Sequence, residues 1–311
     1  MQNTLVYDSD CVPLDAKDTS PQNNNGAGIL LFTMVPTESD GYIPHFLLAR
    51  EAYDSRWRLP FSGFEGSSKS TETAEETAAR EFVEESLAIV PGLNTYANVL
   101  AMLNRRDYFT KISQLVYSEN GAAPARYVTF VVQIEYESSL QARFCSLRSQ
   151  LYDARTVATA ARCERCEMQP SCDDGWVVAG RGRSNIPPLA SAVKALQRMY
   201  ERDRGTFDMH PAVSISRDDN GQITELHVHS DYLEKDLLEM WSIEQTEDAI
   251  KGKDSTKPVK PYFVPTLHAA INAVRAAIAG DEEEALRTRQ RHTLTKQQSR
   301  RREWNHAPIK P

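Results

Sequence analysis

A chain of 311 residues with 41% hydrophobic side chains can bury one large core with additions, or two small ones. No apolar run approaches the roughly 18 residues of a membrane span, and the polar N-terminus lacks the core of a signal peptide. Five cysteines in a chain this long make no disulfide framework, so an intracellular protein of cytoplasm or nucleus is expected. The net charge of −7 is unevenly spread: residues 286–311 carry eight Lys or Arg against the single Glu303, a net of +7, which leaves −14 on the rest.

Residues 1–25, ending in the Pro, Asn and Gly cluster SPQNNNGAG, read as a disordered N-terminal arm. AGILLFTMV and PHFLLAR follow as two strands around a polar turn, and the second leads through Trp57 and Pro60 into the glycine-bearing loop WRLPFSGFEG. From Thr71 to Ala88 the Ala, Glu and Arg content, with no interior Gly or Pro, predicts a helix capped by Thr71 or Ser70. Glu81, Glu84 and Glu85 then fall at i, i+3 and i+4, on one side of that helix. A solvated face is the ordinary account of such a run, yet like charges at this spacing cost a few tenths of a kcal/mol per pair. Only Arg80 lies nearby to offset them. A divalent cation would remove the conflict, and carboxylate oxygens suit Mg²⁺ or Mn²⁺.

The spacing goes further than the charge. Gly66 is followed after five residues by Glu72, then after seven by Arg80-Glu81, apolar Phe82, one residue, and Glu84-Glu85. This resembles the signature of the Nudix hydrolase superfamily, with one departure: Leu87 stands where the family has its second Gly. In the family that Gly ends the helix in a left-handed conformation, so Leu87 predicts a different helix end. The resemblance implies an α-β-α sandwich of the α+β class with a mixed sheet. It implies a divalent metal site of Glu81, Glu84, Glu85 and the Gly66 carbonyl, and a Glu72–Arg80 pair that supports the loop. The implied chemistry is hydrolysis of a diphosphate linkage in a nucleoside diphosphate joined to another group. Family enzymes often add a Glu from a loop before a late strand, here Glu234 in DYLEKDLLEMW, and Arg50, Trp57, Phe64 and Trp241 are expected to contact substrate.

Beyond the helix, RYVTFVVQIEY is a strand, LLEMWSI resembles the family's late strand, and PTLHAAINAVRAAI closes the domain as a helix. Residues 138–225 between those strands are far longer than a usual connection and read as a largely helical insertion. It ends in a hairpin turning at Asp219-Asn220-Gly221, and the whole Nudix domain spans 26–280. Within the insertion, Cys163, Cys166 and Cys172 could open a structural Zn²⁺ site. Only Cys145 and His210 could supply a fourth ligand, so reduced thiols are preferred. His227 and His229 alternate on one strand and read as an exposed hairpin face.

Residues 281–311 form a basic tail, with Arg287, Arg289 and Arg291, then Arg300-Arg301-Arg302 beside Trp304. Such a segment neutralises phosphates and offers a base-stacking ring, although a solubilising end or a nuclear address has the same composition. The stretch FLLAREAYDSRW ahead of the glutamate motif also resembles Nudix proteins of large DNA viruses, including mRNA-decapping types. The expected substrates are therefore the mRNA 5′ cap, or small nucleotides (nucleoside triphosphates, nucleotide sugars, ADP-ribose) and diphosphoinositol phosphates. A non-catalytic nucleotide-binding module is the remaining alternative; intact Glu84 and Glu85 argue against it.

Overall fold

The computed structural model describes residues 5–7, 12–13, 24–39, 41–52, 59–118, 125–165 and, with a few gaps, 198–280. Trp57, the side chains of Cys163, Cys166 and Cys172, and the tail 281–311 lie outside the described residues. In chain order the strands are β1 (Leu5–Tyr7), β2 (Val12–Pro13), β3 (Asn24–Pro36), β4 (Tyr42–Glu51), β5 (Phe61–Ser62), β6 (Phe64–Ser67), β7 (Thr110–Ser118), β8 (Ala125–Ile134), β9 (Val213–Arg217), β10 (Ile223–Val228) and β11 (Lys235–Ser242). The helices are α1 (Ala74–Glu85), α2 (Tyr96–Arg105), α3 (Leu140–Arg165), α4 (Ile243–Ile250) and α5, residues 264–280.

One mixed sheet runs in the order β1-β7-β8-β3-β4-β11, with β2 added to β7, β5 to β4 and β6 to β3. β3 and β8 are parallel, and the other pairs are antiparallel. The run Ile29-Leu30-Leu31-Phe32 in β3 is buried on both faces because the sheet separates two cores. Ala27, Ile29 and Leu31 face one core with Phe82 and Val83 of α1, Leu103 of α2 and Phe144 of α3. Leu30 and Phe32 face the other with Leu267, Ile271 and Val274 of α5. Alternate residues of one strand thus hold helices on both sides, a helix–sheet–helix layering of mixed α and β structure. Among the described residues no helix is long and apolar enough to cross a membrane.

Three sequence expectations change. Part of the arm expected to lack structure forms β1 and β2 against β7, and β3 begins within it, at Asn24. α1 begins at Ala74, not Thr71: Thr73 accepts from Glu76 N–H while the Glu76 carboxylate accepts from Thr73 N–H, and this reciprocal cap fixes the start. Finally, where Leu87 predicted a different helix end, the left-handed geometry is kept. Leu87 and Ala88 have φ of 55° and 52°. The Leu87 N–H reaches Glu84 O at 3.2 Å and the Ala88 N–H reaches Val83 O at 3.0 Å, a Schellman end made without glycine.

The segment 138–225 contains α3, β9 and the start of β10, whose hairpin extends to Val228 with Gly221 at a φ of 76° in its turn. His227 and His229 stand on one side of that hairpin, rings 4.8 Å apart, with His227 exposed and His229 half-buried. Cys145 is exposed. The segment also holds the turn after α1: Arg143 Nη2 donates to Ile89 O at 2.9 Å, and His210 Nε2 lies 3.0 Å from Leu87 O. The Ala212 N–H donates to His210 Nδ1 at 3.1 Å, so Nε2 carries the proton that the Leu87 carbonyl accepts. Burial lowers the His210 pKa and keeps the ring in this neutral form.

The Leu87 side chain is fully buried, and that burial offsets a left-handed penalty of about 1 kcal/mol. Both Leu87→Ala and Leu87→Gly lose the packing, but only glycine also relieves the backbone. Leu87→Gly is therefore expected to be the more stable of the two by about 1 kcal/mol, the reverse of the order inside a helix. Equilibrium denaturant unfolding measures it; equal stability would mean the turn is unstrained.

Candidate functional site

β6 runs along β3 with Gly66 opposite Ala27, and α1 crosses over it. The Glu81 carboxylate lies directly on the Cα of Gly66: a Cβ added there would meet its three carboxyl atoms at 2.2, 2.2 and 2.4 Å. Only a residue without a side chain lets the strand and the carboxylate come this close. Gly66 is thus required by space.

Arg80 ties the loop to the helix. Its Nε and Nη2 donate to the two Glu72 oxygens at 2.8 and 2.9 Å, Nη2 also donates to Ser67 O at 3.0 Å, and the Lys69 N–H donates to Glu72 at 3.0 Å. The hydrogen bonds from Arg80 hold the Glu72 carboxyl down at about 2. The remaining nitrogen, Nη1, reaches Glu81 Oε1 at 2.6 Å and Glu84 Oε2 at 3.2 Å. One guanidinium therefore serves three acids.

The helix face is not solvated as the ordinary account of the run would have it. Glu81 is 8% exposed and Glu85 2%. Burial raises the pKa of Glu81 and Glu84, with Arg80 pulling both the other way, and it raises Glu85 to about 8. Glu85 turns from the other two: its Oε2 accepts from Glu65 N–H at 2.7 Å and its Oε1 is 3.0 Å from Lys235 Nζ.

Lys235, at the start of β11, is fully buried. Its ammonium also pairs with Glu51 and donates to Ser62 Oγ at 3.1 Å, while Lys260 reaches Glu51 Oε1 at 2.6 Å. Against the cost of burial, Glu85 and Glu51 hold Lys235 charged. Glu51 is itself burdened by burial, but two ammonium groups keep its pKa low. Glu65 completes the buried layer, its pKa raised by burial, and its Oε1 has no hydrogen-bond partner among the described residues.

Glu234 is exposed at the rim; partial desolvation and then Glu81 raise its pKa. The short turn Ser230–Leu233 before it packs on α1 and brings the exposed Asp231 near Glu84. The structure thus gathers Gly66, Glu72, Arg80, Glu81, Glu84, Glu85 and Glu234 at one place. Two expected substrate contacts must be corrected. Phe64 is fully buried, edge-on to Phe82 at 5.2 Å, and Trp241 is fully buried 4.7 Å from Phe61 with its Nε1 donating to Glu239 at 2.8 Å. Both are core residues. Arg50, partly exposed, is engaged by Asp236 through two bonds of 2.8 and 3.0 Å.

The donor set expected from the sequence, Glu81, Glu84, Glu85 and a backbone carbonyl, is all oxygen, a chemistry that suits a hard divalent cation, although Glu85 is here paired with Lys235 and the Glu65 N–H. As the side chains are oriented, no group of three or more His, Cys, Asp or Glu among the described residues is arranged to hold an ion. Arg80 Nη1 bridges Glu81 and Glu84 instead.

No protein-family model and no curated protein matches the sequence. Solved structures similar to part of the chain include a Nudix hydrolase from M. smegmatis, RenU, with 19% identity and a TM-score of 0.25 over 37% of this chain. The match spans 63% of the RenU chain, just under two thirds. A C. elegans Ap4A hydrolase in a binary complex matches at 14% identity and a TM-score of 0.24, over 36% of this chain and 67% of that one.

Gly66→Ala tests the contact on which the site is built. The new methyl meets the end of a flexible side chain, so it is expected to push the Glu81 carboxylate aside while costing the fold about 1–2 kcal/mol. A crystal structure of the variant should show Glu81 in a new rotamer. An unmoved Glu81, or a loss of several kcal/mol, would contradict this.

Proposed function

We propose that the chain is a divalent-metal-dependent hydrolase that cleaves a diphosphate linkage in a nucleoside diphosphate joined to another group. The observation that carries this reading is the seating of Glu81 on the bare Cα of Gly66, with Glu84 on the same helix face and Arg80 clasped to Glu72. Glu81, Glu84 and the Gly66 carbonyl would hold Mg²⁺ or Mn²⁺, with Glu85 behind them and Glu234 at the rim. Such an ion supplies neutralisation of phosphate oxygens and a water of lowered pKa. The chain's own residues supply orientation and proton handling. Arg80, fixed on Glu72, keeps the loop and helix in register, and the Glu234 carboxylate is our candidate for accepting a proton at the rim.

The finer proposal for the substrate is the mRNA 5′ cap. It is supported by the +7 segment 286–311, whose arginines can neutralise phosphates beside the stacking ring of Trp304. Small nucleotides and diphosphoinositol phosphates are the competing class, and a panel of these with Mg²⁺ and Mn²⁺ separates them.

Glu81→Gln and Glu84→Gln are each expected to lower turnover of the best panel substrate at least about 100-fold with an unchanged circular dichroism spectrum. Wild-type turnover in either variant would remove the metal reading. Deleting 286–311 is expected to weaken action on a long capped RNA and flatten its salt dependence, while a cap dinucleotide is cleaved as before. Equal loss on both, or none on either, would remove the RNA reading.

A further inference from the structure

We infer that Lys235 is a built-in counter-ion that withdraws Glu85 and Glu51 from the divalent site, so that the ion rests on Glu81 and Glu84 without Glu85. The inference rests on the proposed metal-dependent reading and refines it.

The three acids of α1 differ in what remains unused. Glu81 and Glu84 each give one oxygen to Arg80 Nη1, and their other oxygens make no hydrogen bond or ion pair among the described residues. Both oxygens of Glu85 are engaged, one by the Glu65 N–H at 2.7 Å and the other by Lys235 Nζ at 3.0 Å. The partners also differ in mobility. Arg80 can release Nη1 and stay anchored through Nε and Nη2 on Glu72. Lys235 has no such freedom: it is fully buried, its ammonium donates to Glu51 and Ser62, and it is ion-paired with Glu85 at 3.0 Å. Its backbone is pinned as well, since Arg148 Nε of α3 donates to Lys235 O at 2.6 Å.

Replacing Lys235 on Glu85 by a metal ion would leave an ammonium buried among fewer acids, a desolvated charge without its full counter-charge. Water cannot make up the difference at a group with no exposure. Lys235 is thus a positioning residue: it fixes Glu85, and through Glu85 the β6 backbone at Glu65, one residue before Gly66.

Mn²⁺ binding to the whole protein, followed by electron paramagnetic resonance and calorimetry, tests the inference without reference to turnover. Glu85→Gln leaves Lys235 paired with Glu51, so the fold is retained. It is expected to change Mn²⁺ affinity by less than about threefold, whereas Glu81→Gln and Glu84→Gln lower it about tenfold or more. Lys235→Met frees Glu85 and Glu51 and is expected to add one Mn²⁺ per chain and to make the melting temperature rise with Mn²⁺. If the variant is unfolded without metal, Mn²⁺ is expected to restore it. A Glu85→Gln affinity loss as large as that of Glu81→Gln would overturn the inference, as would a Lys235→Met chain that gains no ion. Absence of any Mn²⁺ binding by the wild type would instead sink the metal reading itself, and the inference with it.

Discussion

Carboxylates removed from water must be met by positive charge, and the centre of this protein is organised by that demand. Glu51, Glu65, Glu81 and Glu85 are wholly or largely buried at one end of the sheet, where a like-charge cluster would otherwise drive protons on or force the strands apart. Arg80 and Lys235 divide most of the work, with Lys260 as a further cation on Glu51. Arg80 joins the loop acid to the helix acids, and Lys235 joins β4, β11 and α1. The architecture converges on these two groups: β6 is held next to α1 through Glu65 and Gly66, and β11 begins at the lysine itself.

The two cations sit in different surroundings. Arg80 lies near the surface on an exchangeable set of acids, so its third nitrogen can yield to another charge. Lys235 sits at zero exposure and has nowhere to go. The same helix face therefore carries acids of two kinds. Those near Arg80 keep unused oxygens, whereas Glu85 serves the interior.

The legible parts of this arrangement were those encoded by local spacing. Gly66, Glu72, Arg80, Glu81, Glu84 and Glu85 could be read because a glycine loop and one helix carry them all within 20 residues of sequence, on the order of five helical turns. The helix start was also written locally, in Thr73 and Glu76, although an earlier threonine competed for it. Lys235 could not be read. A lysine in sequence argues for the surface, and only the non-local pairing of β11 with β4 carries it beneath Glu85. Phe64 and Trp241 misled for a related reason: an aromatic beside a functional motif does not declare which face of its strand is buried. The N-terminal strands were hidden because a strand of two or three residues takes its stability from its partner, here β7, and not from its own composition. The left-handed turn at Leu87 and Ala88 is the converse case. The local rule forbids it, and tertiary burial of Leu87, with His210 and Arg143 reaching in from the 138–225 segment, holds it in place.

Glu81 and Glu84, over Gly66, are proposed to hold the divalent ion while buried Lys235 keeps Glu85 and Glu51. An anomalous difference map from crystals soaked in Mn²⁺ tests this most directly. The account predicts a single peak about 2.2 Å from a Glu81 oxygen and a Glu84 oxygen, with Arg80 Nη1 displaced, Glu72 still clasped and Lys235 still on Glu85. A peak coordinated by Glu85 with Lys235 expelled, or no peak on this helix at saturating Mn²⁺, would contradict it.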